Sequence, residues 1–80
     1  MKIITPDQEV FEGEVSQAKF PGNSGGFEVL KDHAPLISTL GQGDIVLNVI
    51  DQGKKQFKID GGVVEVLNNN IIVLVENIVE

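Results

Sequence analysis

Hydrophobic and polar residues alternate along most of the chain. From Gln56 to Asp60 they follow each other one by one, and Ile45, Leu47 and Val49 repeat at every second position. A β-strand with one buried and one wetted face has this period of two, because its successive side chains point to opposite faces. No stretch shows the longer period of an amphipathic helix. The pattern therefore predicts an all-β protein.

Turn-forming residues divide the pattern into short segments. Gly and Asn recur between the apolar stretches and accept the positive φ that tight hairpins require. The predicted strands cover residues 2–5, 8–12, 14–20, 26–30, 35–39, 44–50, 55–60, 62–67 and 71–76. Short strands at this spacing indicate a flattened, mostly antiparallel β-sandwich or barrel. We expect residues 1–80 to form a single domain.

The last predicted strand is apolar on both of its faces. The run from Ile71 to Val75 contains no polar residue. It is much shorter than the ~20 residues of a membrane-spanning helix. Two explanations remain open at this point: the strand lies in the centre of the fold, or a partner covers its second face.

Composition limits how the domain is stabilised and what it binds. The chain has 80 residues, no cysteine, no arginine, one histidine and a formal net charge of −6. Disulfides and a four-ligand zinc site are therefore ruled out, and we expect no metal and no cofactor. The negative charge repels nucleic acid and anionic lipid, so we expect neither nucleic-acid binding nor direct lipid insertion. Apolar burial, within the domain or against a partner, has to stabilise the fold.

The sequence offers little for catalysis. A nucleophilic triad needs Ser, His and an acid within mutual reach, but Asp32 directly precedes His33 and adjacent residues point in different directions. The simpler interpretation of His33 is a turn residue whose ring bonds a neighbouring backbone group. The glycines between Pro21 and Gly26 precede a strand-like segment, so they indicate a tight reversal and not a phosphate-binding loop. We expect no catalytic residue.

Three motifs follow one another along the chain. They are ITP with VFEGEV (residues 4–6 and 10–15), PGNSGGFEVLKDHAPL (21–36) and IDGGVVEVLNNNIIVLVE (59–76). Each resembles a segment of the epsilon subunit of the rotary F-type ATP synthase, which carries a glycine-rich reversal before HAPL and a later GG-x-x-EV stretch. The resemblance covers essentially the whole chain.

The resemblance implies two packed five-stranded sheets and a non-catalytic role in the central stalk. The family holds the foot of the gamma shaft on the membrane-embedded ring of c subunits, so it implies gamma and the c ring as partners. It also implies a peripheral position on the cytoplasmic face of the bacterial inner membrane. Matched residue by residue, it gives candidate c-ring contacts at Asn23, Gly25, Gly26, Glu28 and Lys31, and candidate gamma contacts at His33, Ala34, Pro35, Leu36 and Ser38. Gly26 is the position expected to need a positive φ.

The chain departs from the family pattern at three points. Glu28 replaces a usual glycine and Lys31 a usual proline, so the shape of this turn is expected to differ. The family's C-terminal hairpin of two helices, which in some members inhibits ATP hydrolysis or binds ATP, has no counterpart before Glu80. We expect neither ATP binding nor that form of inhibition. The chain is either a naturally short form or an isolated N-terminal domain.

Other functions remain open beside this one. The first alternative is a stand-alone β-sandwich module that binds a peptide or small ligand, and an enzyme comes third. Co-purification with gamma and the c ring separates the rotor subunit from both.

Overall fold

The computed structural model describes residues 1–79, and this range forms ten strands and no helix. The strands are β1 (Lys2–Ile4), β2 (Glu9–Glu12), β3 (Val15–Gly22), β4 (Gly25–Leu30), β5 (Leu36–Leu40), β6 (Gly43–Val49), β7 (Gly53–Ile59), β8 (Gly62–Leu67), β9 (Asn70–Val75) and β10 (Ile78–Val79). The all-β prediction is confirmed, and each predicted strand matches one of β1 to β9 within two residues at either end. The expectation about Glu80 lies outside the described residues.

The strands form one continuous sheet that is curled into two halves. Its order is β10-β7-β6-β3-β5-β8-β9-β1-β2, with β4 on the other edge of β3. The bridge between β3 and β5 is the pair Gly22 and Leu40. We call β10-β7-β6-β3-β4 sheet 1 and β5-β8-β9-β1-β2 sheet 2, so each has five strands. All pairs are antiparallel except β1 with β9, which confirms the mostly antiparallel prediction.

The core lies between the two sheets and is entirely apolar over residues 1–79. The largest fully buried side chains come from both sheets: Ile3, Ile45, Leu47, Ile59, Val64, Val66 and Val73. Phe11 of β2 packs against Phe57 of β7 with ring centroids 5.9 Å apart, which joins the two sheets far from the bridge at Gly22. Since no polar side chain is buried in this range, apolar burial is the main source of stability.

The position of β9 confirms the first explanation of its apolar run and leaves the second one open. It lies between β8 and β1, in the middle of sheet 2. Ile71, Val73 and Val75 face the core, whereas Ile72 and Leu74 are 40% and 53% exposed. The strand is therefore central, and its outward face is apolar all the same.

The hairpin turn between β8 and β9 could be predicted from the sequence, whereas the short strand β10 could not. Asn68 and Asn69 have φ of 51° and 64° and form the two-residue turn between β8 and β9. Two successive positive φ values define a type I′ hairpin, so the predicted turn is confirmed. The sequence did not reveal β10, which pairs with β7, because two residues are too short to show alternation.

Candidate functional site

The outward face of sheet 2 carries a patch of apolar side chains. The register of the strands aligns two rows across this face: Thr39, Val63, Leu74 and Ile4 in one, and Ile37, Glu65, Ile72 and Lys2 in the other. Directly opposed side chains in a sheet are close enough to touch, so Val63, Leu74 and Ile4 form a continuous apolar row. Ile72 adjoins this row along β9, whereas Glu65 separates Ile72 from Ile37 in the other row. We call Ile4, Ile37, Val63, Ile72 and Leu74 the apolar face.

Two side chains of the apolar face are more than half exposed to solvent. Ile37 is 72% exposed and Leu74 53%. A single exposed apolar side chain is ordinary on a protein surface, but a contiguous group rimmed by charges marks a contact for another molecule. The rim on one side is Lys2, which forms ion pairs with Glu9 at 3.5 Å and Glu12 at 3.6 Å.

The outward face of sheet 1 has the opposite character. Side-chain hydrogen bonds cross its strands: the Asn48 amide donates to Gln17 Oε1 at 2.7 Å, and the Gln17 amide donates to the Glu28 carboxylate. Farther along, Gln56 Nε2 donates to Asp44 Oδ2 at 2.9 Å. Polar groups that bond to each other and to water suit a solvated face. Of the two outer faces, that of sheet 2 is the candidate protein interface.

The candidate gamma contacts divide into two groups in the structure. His33, Ala34 and Pro35 lie in the loop between β4 and β5 and lead directly into sheet 2. Leu36 and Ser38 are half-buried on the inner side of β5, and Leu36 packs against the core. The exposed positions of this strand are instead Ile37 and Thr39.

His33 makes the contact that the simpler interpretation predicted. Its Nδ1 lies 2.6 Å from the carbonyl oxygen of Ala34, to which Nδ1–H donates. Its backbone N–H donates to the Leu30 carbonyl at 3.2 Å. These contacts shape the loop locally. The simpler interpretation of His33 is confirmed.

The candidate c-ring contacts are spread along an edge strand. β4 pairs with β3 on one side only. Asn23 lies in the hairpin turn before β4, Glu28 lies within the strand, and Lys31 follows its end. At ~3.3 Å per residue, Gly26 and Lys31 are separated by about 16 Å along this strand. These residues therefore form an extended strip and not a compact cluster.

The structure corrects the expectation for Gly26. Gly26 lies inside β4 opposite Pro21, outside the set of glycines at positive φ, whereas Gly25 has φ of 122°. The reason is that β3 continues through Gly22, so the turn consists of Asn23 and Ser24 and the unusual conformation falls on Gly25. The prediction for Gly26 was wrong by one residue.

The hairpin turn also contacts sheet 2. Asn23 Nδ2 donates to Thr39 Oγ1 at 2.9 Å, and Thr39 belongs to one of the two outward rows of sheet 2. Asn23, Thr39, Val63 and Leu74 line a shallow groove at this end of the apolar face. The first of the candidate c-ring residues therefore adjoins the apolar face.

Neither a metal site nor a membrane-spanning helix is found in the described range. Within residues 1–79, no three His, Asp or Glu side chains are grouped so that they could hold a metal ion. Over the same residues, no helix is long and apolar enough to cross a membrane.

Sequence reasoning named no residue of the apolar face as a candidate contact, although it noted that a partner could cover the second face of the last predicted strand. The available signal was the run from Ile71 to Val75, whose second apolar phase contains Ile72 and Leu74. Ile37 and Val63 join them only through strand register, which connects residues distant in sequence.

Comparison with known proteins gives relatives over the full length of the chain. Residues 1–80 match the family described as ATP synthase, Delta/Epsilon chain, beta-sandwich domain. The ATP synthase epsilon chain of Chlorobium limicola is 38% identical over 78 residues, which cover 98% of this chain and 89% of the relative. That of Chlorobaculum tepidum is 40% identical over 78 residues, with the same shares.

A solved structure shows the same fold. The structure of Euglena gracilis mitochondrial ATP synthase, comprising OSCP, F1 and c-ring, contains a chain that matches with a TM-score of 0.88 and 21% identity. The match covers 98% of this chain and 50% of that one, so this chain spans half the length of its solved counterpart. Together with the full-length family match, this shows that the chain belongs to the delta/epsilon chain family of ATP synthase and has the fold of its β-sandwich domain.

Proposed function

We propose that this chain is a non-catalytic subunit of the central stalk of a proton-translocating F-type ATP synthase. In this role its single domain joins the gamma shaft to the membrane c ring, so that torque passes between them during ATP synthesis. The relatives named ATP synthase epsilon chain support the proposal. It places the subunit as a peripheral protein at the cytoplasmic face of the bacterial inner membrane, with no cofactor and no bound ATP.

The apolar face is the observation that carries the proposal, as the surface that docks gamma. Full burial of an Ile or Leu side chain contributes roughly 1.5–3 kcal/mol. Ile37 and Leu74, both more than half exposed in the free chain, therefore offer gamma a substantial gain. Glu65 lies between Ile37 and Ile72 in the same row and suits a basic group of gamma at the centre of the contact. The loop of His33, Ala34 and Pro35 extends this surface, whereas Leu36 and Ser38 support it from the inner side of β5.

The c ring is proposed to contact the strip along β4. Asn23, Gly25 and Gly26 form its end at the hairpin, and Glu28 and Lys31 supply one charge of each sign farther along. The exposed backbone at these glycines and the two separated charges suit contact with polar loops of the c subunits. Because Asn23 also bonds to Thr39, the ring contact and the gamma contact share one end of the domain.

We expect gamma to stabilise the domain. A ligand that binds only the folded state adds roughly 2.7 kcal/mol at a hundredfold excess over Kd. Thermal melts of the chain with and without saturating gamma measure this as an upward shift of the midpoint, with serum albumin in place of gamma as the control. An unchanged midpoint contradicts the proposal and favours the stand-alone binding module.

The hairpin at Gly25 offers a test of the ring contact. Gly25→Ala is expected to impair coupled ATP synthesis by the reconstituted enzyme more than it impairs folding. The added Cβ meets nothing within 4 Å, so the change acts through the φ of 122° and distorts the turn. Gly53→Ala is the matched control, because Gly53 has φ of 82° and equally open space in the hairpin between β6 and β7. Equal losses of coupling in the two variants would count against a ring contact at Gly25.

A further inference from the structure

A reciprocal pair of hydrogen bonds joins two loops that are distant in sequence. The backbone N–H of Asp32 donates to Asn69 Oδ1 at 2.7 Å, and Asn69 Nδ2 donates to Asp32 Oδ1 at 3.0 Å. Asp32 lies in the loop between β4 and β5, and Asn69 in the turn between β8 and β9. We call this pair the loop latch. A carboxylate acceptor makes its second bond charge-assisted.

Both residues of the loop latch have a left-handed backbone. Asp32 has φ of 65° and Asn69 φ of 64°. Asp and Asn adopt this conformation more readily than other residues with a side chain, because their short polar groups bond to nearby backbone. The two hydrogen bonds of the latch thus join residues that both have this backbone conformation.

The loop from Lys31 to Pro35 has few other attachments. Among the hydrogen bonds of residues 1–79, His33 N–H to Leu30 and His33 Nδ1 to Ala34 both stay within this segment and the strand before it. The loop latch is the side-chain link from the loop to a different hairpin. From this we infer that Asn69 is a positioning residue, which holds the loop of His33, Ala34 and Pro35 in the orientation that docks gamma.

This inference rests on the proposed function, because it assigns the loop to the gamma contact. Asn69 itself lies in a turn at the end of sheet 2, outside the apolar face. The loop that it holds runs directly into β5, whose Ile37 is the most exposed apolar residue of that face. If the loop is released from Asn69, the start of β5 moves. Gamma binding then has to order the loop, which costs conformational entropy and weakens the affinity.

A pair of glycine variants tests the latch against its neighbour. Asn69→Gly keeps the left-handed conformation available and removes the amide. Asn68→Gly is the matched control, since Asn68 has φ of 51° in the same turn but takes no part in the latch. We expect Asn69→Gly to speed hydrogen exchange of the Asp32 amide at least tenfold and to weaken gamma binding five- to tenfold. For Asn68→Gly we expect less than a twofold change in both.

Exchanging the two residues of the loop latch should restore gamma binding that a single substitution weakens. Such a recovery is not expected if the single substitution acts only by destabilising the domain. Asn69→Asp places a second carboxylate against Asp32, which breaks one bond and adds repulsion, so gamma binding should fall at least tenfold. Adding Asp32→Asn to this variant restores a donor and an acceptor with the roles exchanged, and binding should return to within twofold of the starting chain. Calorimetric titration of each variant with gamma measures the affinities.

The outcomes separate the latch from the proposed function. Equal exchange rates in the two glycine variants, or no rescue by the double variant, overturn the positioning role. Faster exchange at Asp32 with unchanged gamma affinity overturns it as well. In that case Asn69 holds the loop, but the orientation of the loop does not affect gamma binding. If the unaltered chain does not bind gamma, the proposed function fails and the docking part of the inference with it. The exchange rates still decide whether Asn69 holds the loop.

Discussion

Replacement of Leu74 by lysine is expected to weaken gamma binding about a hundredfold while the domain stays folded. Leu74 is 53% exposed and lies between Val63 and Ile4 in one row of the apolar face. The variant loses the burial of a leucine and forces an ammonium group into an apolar contact. Together these changes cost at least about 3 kcal/mol, roughly a hundredfold loss of affinity. Calorimetric titration with gamma measures the loss, and circular dichroism checks the fold.

Leu30→Lys is the matched control for this experiment. Leu30 is 52% exposed, so the two leucines have nearly the same accessibility in the free chain. It lies at the end of β4 in sheet 1, away from the apolar face, and its bond to His33 of the loop is made by the backbone carbonyl, which the substitution keeps. Its replacement should change the affinity for gamma less than threefold. If both variants lose affinity equally, added positive charge is the cause and the apolar face is not the docking surface.

Gly62→Ala is expected to remove a large part of the stability of the domain. A Cβ at this position would lie 2.3 Å from the carbonyl oxygen of Leu74 and 3.1 Å from the Cα of Val75. Both contacts are backbone, and Gly62 is paired on its two sides with Leu40 and Val75, so neither strand can move freely. We expect a loss of about 3 kcal/mol, at the upper end for overpacking. A domain of this size has only about 4–12 kcal/mol in total.

Urea denaturation measures this change, and Gly26→Ala is its control. At Gly26 the nearest atom to a new Cβ is the Phe20 carbonyl oxygen at 3.6 Å, an ordinary contact. We expect the midpoint for Gly62→Ala to fall sharply at constant m, and that for Gly26→Ala to stay within about 0.5 kcal/mol of the starting chain. A midpoint for Gly62→Ala equal to that of the control would show that the close approach of β8 and β9 is absent in solution.

Local features of the fold could be predicted from the sequence because their causes are local. Alternation identified nine strands, and two asparagines in succession marked the hairpin at Asn68 and Asn69. The apolar run of β9 gave its central position as one of two explanations. The prediction for Gly26 was displaced because the pairing that extends β3 to Gly22 cannot be read from the residue types.

The composition of the apolar face could not be predicted, because it depends on pairing between distant strands. Ile37 and Leu74 share a face only because β8 lies between their strands in a particular register. A shift of one residue would send either side chain to the core. For the same reason, matching of motifs proposed the segment around His33 as a gamma contact but could not show which side chains of β5 point outward. Leu36 and Ser38 point inward, and Ile37 points outward.

The parallel pairing of β1 with β9 has a consequence for synthesis of the protein. Lys2 pairs with Ile72 and Ile4 with Leu74, so β1 meets this neighbour only after the ribosome has made all the strands from β2 to β9. Until then β1 and β2 are a two-stranded hairpin, which is at best marginally stable in water. Contacts between such distant segments also make folding slow, on the scale of milliseconds to seconds. Sheet 2 is therefore completed only once β9 has been made, and a nascent chain that lacks β9 has no complete apolar face to offer to gamma.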